Sequence, residues 1–152
     1  MDFYFVRHGE AKSTAEDPQR PLSHHGRREV ENVAAGLVAR KIKIAEILHS
    51  DKLRAKQTGE ILAQSLSLRC DVREVNGLSP QDDPAIAVAE LEAAEAPLML
   101  VGHLPHLNRL VSMLLADGLK RENLDFPSAT VVCLSRENGA WKLRWSLSPK
   151  TA

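Results

Sequence analysis

The feature that most constrains this chain is a repeated handover from a short apolar run to an amphipathic stripe. Residues 2–6, Asp-Phe-Tyr-Phe-Val, are apolar on both alternating faces, the pattern of a central strand covered on either side by helices. After a loop over residues 11–22, rich in breakers and charges, Ser23 reads as an N-cap. Beyond it Val30, Val33, Ala34, Leu37 and Val38 recur at the spacing of one helical face. Residues 45–49 predict a second strand and residues 52–66 a helix with Ala55, Thr58, Leu62 and Leu66 on one side. A weakly alternating third strand over 69–75, turns at Asn76-Gly77 and Ser79-Pro80, and a helix over 84–95 closed by Pro97 follow. Residues 98–101, Leu-Met-Leu-Val, form a buried strand, and Leu107, Leu110, Val111, Leu114 and Leu115 stripe the next helix. Residues 129–134 and 141–147 read as two strands around the turn Glu137-Asn138-Gly139. The alternation predicts an α/β three-layer sandwich: a mostly parallel central sheet flanked by helices, with a C-terminal antiparallel hairpin.

Size and charge narrow the function classes. A chain of 152 residues with 43% apolar side chains is near the modal domain length, so residues 1–152 are expected to form a single domain without staples. Twenty Lys+Arg against twenty Asp+Glu leave no basic excess for nonspecific binding to a phosphate backbone, so no nucleic-acid partner is expected. Cys70 and Cys133 form no CxxC, which excludes a cysteine-built zinc site and reads as two reduced thiols. The start Met1-Asp2 lacks a positive n-region, and no run approaches the length of a membrane span. A cytoplasmic monomer with no membrane partner is the expectation.

In sheets of this kind ligands sit beyond the carboxyl ends of the parallel strands. Three of those ends carry related chemistry: Arg7-His8-Gly9-Glu10, Ser50-Asp51-Lys52-Leu53-Arg54, and Gly102-His103-Leu104-Pro105. Arginine offers a rigid fork of donors that never deprotonates, suited to a tetrahedral oxyanion. Histidine can serve as nucleophile, base or donor near neutral pH, and Gly9 is expected to let a ligand approach the backbone closely. Taken singly, Arg7-His8 could be a surface turn, Arg54 a solvated helix residue and His103 a cap on the following helix. Their coincidence at one sheet edge points instead to a phosphoryl site. His24, His25 and His49 read as structural or exposed; His103 and His106 form H-x-x-H, but Pro105 lies between them and no zincin glutamate does, so no metal is expected. Trp141 and Trp145 read as hairpin packing rather than a base-stacking platform.

These three stretches, with the continuation Ala55-Lys56-Gln57-Thr58, resemble the histidine phosphatase superfamily and its phosphoglycerate-mutase-like fold. The short length, Arg20-Pro21-Leu22-Ser23 and the ending Trp145-Ser146-Leu147-Ser148-Pro149 resemble its small bacterial branch of SixA-type phosphohistidine phosphatases. The resemblance implies His8 as a nucleophile that forms a phosphohistidine, with Arg7, Arg54 and His103 binding the phosphoryl oxygens and Arg20 joining from the loop. No cofactor is implied. Asp51 stands where the family usually has proline, which puts the loop geometry in doubt rather than the roles. Larger relatives supply a carboxylic acid after the third strand. Glu74 is a candidate but alternation makes it a solvated strand residue, and Asp82 and Asp83 read as helix-start charges. A missing acid suits an imidazole leaving group, which brings its own proton. The expected substrate is therefore phosphohistidine in a signalling or phosphotransfer protein, such as a histidine phosphotransfer domain or a phosphocarrier. The alternatives are a phosphatase, less readily a mutase, for a small phosphate ester, and an inactive phosphate- or phosphoprotein-binding module.

Overall fold

The computed structural model describes residues 1–115 and 125–152. The described elements are β1 (Asp2–Arg7), α1 (His24–Ala39), β2 (Glu46–His49), α2 (Leu53–Ser65), β3 (Asp71–Glu74), α3 (Pro84–Ala93), β4 (Leu98–Gly102), α4 (His106–Leu115), β5 (Val131–Glu137) and β6 (Ala140–Leu147). The six strands form one sheet in the order β3-β2-β4-β1-β5-β6. β3, β2, β4 and β1 run parallel, whereas β5 is antiparallel to β1 and to β6. The expected parallel sheet with an antiparallel hairpin edge is therefore present.

The central strands read as continuous apolar runs because helices cover both faces, and period two sorts their side chains between two cores. Phe3, Phe5 and Leu100 pack with Leu91 of α3 and Leu107, Leu110, Val111 and Leu114 of α4. Tyr4, Val6, Met99 and Val101 pack on the other face with Val30, Val33 and Leu37 of α1 and Ala55 and Leu62 of α2. Ser23 caps α1 as its sequence predicts, its side chain accepting from Gly26 N. Asp83 caps α3 with Pro84 in the first turn. Asp82 stands one residue before that cap, and its carboxylate also accepts from Ser79 N at 3.0 Å, holding the preceding turn.

The hairpin differs from the sequence reading in two respects. Asn138 and Gly139 have φ of 54° and 77°, so two residues close the turn and both strands run closer to it than expected. A bulge between Cys133 and Leu134 shifts the register, pairing Cys133 with Trp145 but Leu134 with Leu143. The shift turns Trp141 and Trp145 to opposite faces although both positions are odd. Trp141 packs against Phe3 at 5.1 Å between ring centroids, while Trp145 lies against Tyr4 at 6.0 Å.

Candidate active site

Parallel register builds the site. Arg7 is the register partner of Gly102, so the next residues, His8 and His103, leave the ends of adjacent strands side by side. Their ring centroids are 4.8 Å apart at 55°. His49 pairs with Val101 on the other flank of β4, which puts Ser50 beside the same turn. There the Ser50 hydroxyl lies 2.6 Å from His103 Nε2, with both residues buried. The His103 backbone carbonyl accepts from Leu107 N at 2.9 Å, while its ring is engaged by Ser50.

His8 is clamped by its own backbone: its N–H donates to Gly102 O at 3.1 Å and its carbonyl accepts from Ala129 N at 3.2 Å. The ring Nδ1 lies 2.7 Å from Gly9 O. A carbonyl only accepts, so Nδ1 must carry the proton and Nε2 keeps its lone pair. Burial, reinforced by Arg54, Arg7 and Arg20, pulls the His8 pKa down to about 4 against the raising effect of the Gly9 bond. Burial and the neighbouring His8 and Arg54 pull His103 down to about 3. Both rings are neutral at pH 7, and one of them presents a free nitrogen base.

The guanidinium groups come from three elements. Arg7 ends β1 and donates through Nη1 to Phe126 O at 2.9 Å. Arg54 lies in the first turn of α2, and Arg20 sits in the β1–α1 loop with its Nε donating to Lys12 O at 3.1 Å. Arg20 is held at φ 48°, a left-handed conformation that a side-chain-bearing residue rarely adopts. Arg20, Arg54, Lys52 and Asp51 line a common cleft of about 460 Å³. Burial lowers the pKa of Arg7 and of Arg54, where Arg20 adds to the effect and Asp51 opposes it. Arginine nonetheless stays charged at neutral pH. Nε of both arginines and Nδ1 of His103 are buried and meet no partner among the described residues. Buried donors of this kind, gathered near one nucleophilic nitrogen, suit a tetrahedral oxyanion.

Two features of the surroundings go beyond the sequence reading. Gly9 is also required by the protein itself: a Cβ there would come within 2.9 Å of Val30 Cγ2 and 3.0 Å of Gly26 O. The loop lies directly on α1. Asp51 also does more than replace a proline, since its carboxylate accepts from the Ser79 hydroxyl at 2.8 Å and ties the β2–α2 turn to the β3–α3 turn.

Thr58, which its spacing placed on the packing stripe of α2, and Gln57, to which the sequence assigned no role, both tie the loop to that helix. Buried Thr58 accepts from Gly9 N at 3.1 Å and donates to Arg54 O at 2.8 Å, joining the loop of His8 to the helix of Arg54. Gln57 Oε1 accepts from Leu22 N at 2.7 Å. A hydroxyl on the apolar stripe of α2 was the available sign, because a polar group there must find a partner.

The candidate carboxylates are otherwise engaged or exposed. Glu74 is exposed at the end of β3, Asp82 holds Ser79, and Asp83 caps α3. Glu74 and Asp82 line a second cleft together with Asp51, Asn76 and Ser79. His24 and His25 are exposed, and His25 lies 3.8 Å from Glu10 and 3.6 Å from Glu29, ion-pair distances if the ring is protonated. His49 is buried, with Nδ1 2.8 Å from Ser50 O, and His106 is buried in the first turn of α4.

The profile of the histidine phosphatase superfamily (branch 1) matches residues 3–79. An uncharacterized protein of Picosynechococcus sp. is 36% identical over 141 residues, 88% of this chain and 84% of its own length. The phosphohistidine phosphatase SixA of Escherichia coli is 31% identical over 156 residues, 98% of this chain and 94% of its own. The structure of a protein histidine phosphatase SixA complexed with tungstate superimposes with a TM-score of 0.89 at 28% identity, over 99% of this chain and 98% of that one. A mycobacterial glucosyl-3-phosphoglycerate phosphatase shares the fold, with a TM-score of 0.75 at 21% identity over 95% and 98% of the two chains. No helix among the described residues is long and apolar enough to cross a membrane.

Proposed function

Since this chain belongs to the histidine phosphatase superfamily, in its SixA-type branch, and is a phosphatase, we propose that it transfers phosphate from a protein phosphohistidine to His8 and thence to water. The observation that carries the reading is the bond from His8 Nδ1 to Gly9 O, which leaves Nε2 unprotonated beside Arg7, Arg54 and His103. Nε2 attacks phosphorus, a P–Nε2 bond forms, and the P–N bond to the substrate imidazole breaks. The departing ring leaves as neutral imidazole when its other nitrogen already carries a proton, so no acid from the enzyme is required. Arg7, Arg54 and His103 bind the equatorial oxygens, and Arg20 reaches the same group from its loop; their charge and placement supply most of the stabilisation.

The second half follows from the same bond. Phosphorylated at Nε2 and still protonated at Nδ1, His8 is itself a good leaving group. Water adds to phosphorus, the P–Nε2 pair returns to the ring, and the water's proton passes to phosphate or solvent. The phosphohistidine assignment is supported by the employment of Asp82 and Asp83 in local turns and by the exposure of Glu74. The similarity to a phosphohistidine phosphatase supports it further.

The test is hydrolysis of a phosphohistidine protein beside aryl and alkyl phosphates. Phosphohistidine and aryl phosphate should turn over and alkyl phosphates poorly, with Glu74→Gln nearly silent. Efficient hydrolysis of an alkyl phosphate, coupled to a large loss in Glu74→Gln, Asp82→Asn or Asp83→Asn, would instead place the enzyme among small-ester phosphatases.

A further inference from the structure

We infer that Ser50 is a positioning residue that fixes the tautomer and orientation of His103. The inference rests on the reading of His103 as a phosphoryl-binding donor. Ser50 and His103 are 1% and 2% exposed, so their contact is shielded from water, and Oγ to Nε2 is 2.6 Å. Ser50 Oγ also accepts from Lys52 N at 3.3 Å. A hydroxyl has one proton and two lone pairs. With one lone pair turned to Lys52, the arrangement that leaves the hydroxyl proton an acceptor is donation from Ser50 to His103 Nε2. The reverse, donation from Nε2–H to Ser50, would leave the hydroxyl proton without an acceptor and Nδ1 without a donor among the described residues, two unmet groups instead of one.

The proton count then settles the other ring nitrogen. If Nε2 accepts, neutral His103 carries its proton on Nδ1, the nitrogen that is buried and meets no partner among the described residues. That N–H is the donor His103 can offer a phosphoryl oxygen. The hydrogen bond made by one imidazole nitrogen sets the state of the other, so a serine that never touches substrate decides whether His103 presents a donor or an acceptor. A strand and a turn hold Ser50 in place: Ser50 N donates to Val101 O of β4 at 3.3 Å, and the adjacent Asp51 is anchored to Ser79.

Burial opposes protonation of His103 most, and His8 after β1, Arg54 and Lys52 at the start of α2, and His106 of α4 add to it. The Ser50 bond acts in the same direction by stabilising neutral Nε2. Loss of the hydroxyl should therefore raise the His103 pKa.

The experiment combines 15N NMR of the His103 ring with turnover of an aryl phosphate, a substrate that does not depend on the phosphohistidine assignment. In the wild type the ring should show Nδ1–H and a lone pair on Nε2. Ser50→Ala should mix the tautomers, raise the His103 pKa read from the same 15N shifts, and lower kcat/KM by about tenfold or more. Added to His103→Ala, it should cost nothing further. A wild-type ring protonated at Nε2, a His103 pKa unmoved in Ser50→Ala, or losses that add in the double variant would overturn the inference. If His103→Ala itself retained full turnover, the phosphoryl-binding reading would fall and this inference with it. If His103→Ala were inactive while Ser50→Ala behaved as wild type, only the positioning role would fall.

Discussion

At the scale of the residue, the contact between His8 and the carbonyl of Gly9 sets which ring nitrogen is free, and burial sets when. A lowered pKa means that the neutral ring persists to lower pH than an ordinary histidine's. With His8 at about 4, kcat/KM corrected for substrate ionisation should stay level from neutral pH down to about pH 5 and fall only below that, rather than near 6.5. A pH-rate profile checks this. Replacing the proposed nucleophile is more drastic. His8→Ala should remove turnover by orders of magnitude and abolish an acid-labile, alkali-stable phosphoryl adduct trapped during the reaction, because no neighbouring side chain replaces the covalent route. Rapid-quench labelling would reveal the adduct, and near-normal turnover in the variant would refute the mechanism. Arg7→Ala and Arg54→Ala should each lose a few kcal/mol of transition-state stabilisation, read from kcat/KM, as expected for preorganised charge.

At the scale of the element, the site depends on how the β1–α1 loop seats between α1 and α2. Thr58 holds that seat from α2 by bonding Gly9 N and Arg54 O. Thr58→Val keeps the shape but leaves a buried amide unpaired, so it should cost about 1–3 kcal/mol of stability in urea titrations and slow turnover as well. Gly26 holds the seat from α1. A Cβ at that position would run into the Glu10 carbonyl oxygen, so Gly26→Ala should force the loop off the helix and lower both stability and activity. The two losses should be measurable in the same variant, since loop and site are one structure. These contacts were only partly legible in the sequence. The apolar stripe of α1 and the Ser23 cap follow from spacing alone, whereas the reason for Gly9 lay in Val30 and Gly26, which are remote from it in sequence.

At the scale of the whole molecule, two neutral histidines buried beside arginines tie the site to the stability of the fold. In the unfolded chain these rings bind protons near pH 6.5, while folded His8 and His103 do so only near 4 and 3. Between those limits the unfolded state holds more protons, so stability is full above pH 6.5 and declines as pH falls through the window. Urea midpoints measured from pH 7 to pH 4.5 should fall, and the fall should be shallower in a variant with both His8 and His103 replaced by alanine. Equal slopes would show that other groups govern acid unfolding.

The layer architecture and the set of side chains gathered at the sheet edge were legible from the spacing of residues alone. Continuous apolar runs can be satisfied only between two helical layers, and Arg7, His8, Arg54 and His103 each stand at or just beyond the end of a recognisable strand or in the first turn of a helix. The tertiary structure decided what depends on register and on partners distant in the chain. The bulge at Cys133/Leu134 sends Trp141 and Trp145 to opposite faces, which no alternation within β6 could disclose. The pairing of Ser50 with His103 spans 53 residues and exists because β2 and β4 are parallel neighbours in a fixed register. Local pattern reports what one segment buries; only the packed sheet brings segments close enough for one side chain to set another's proton.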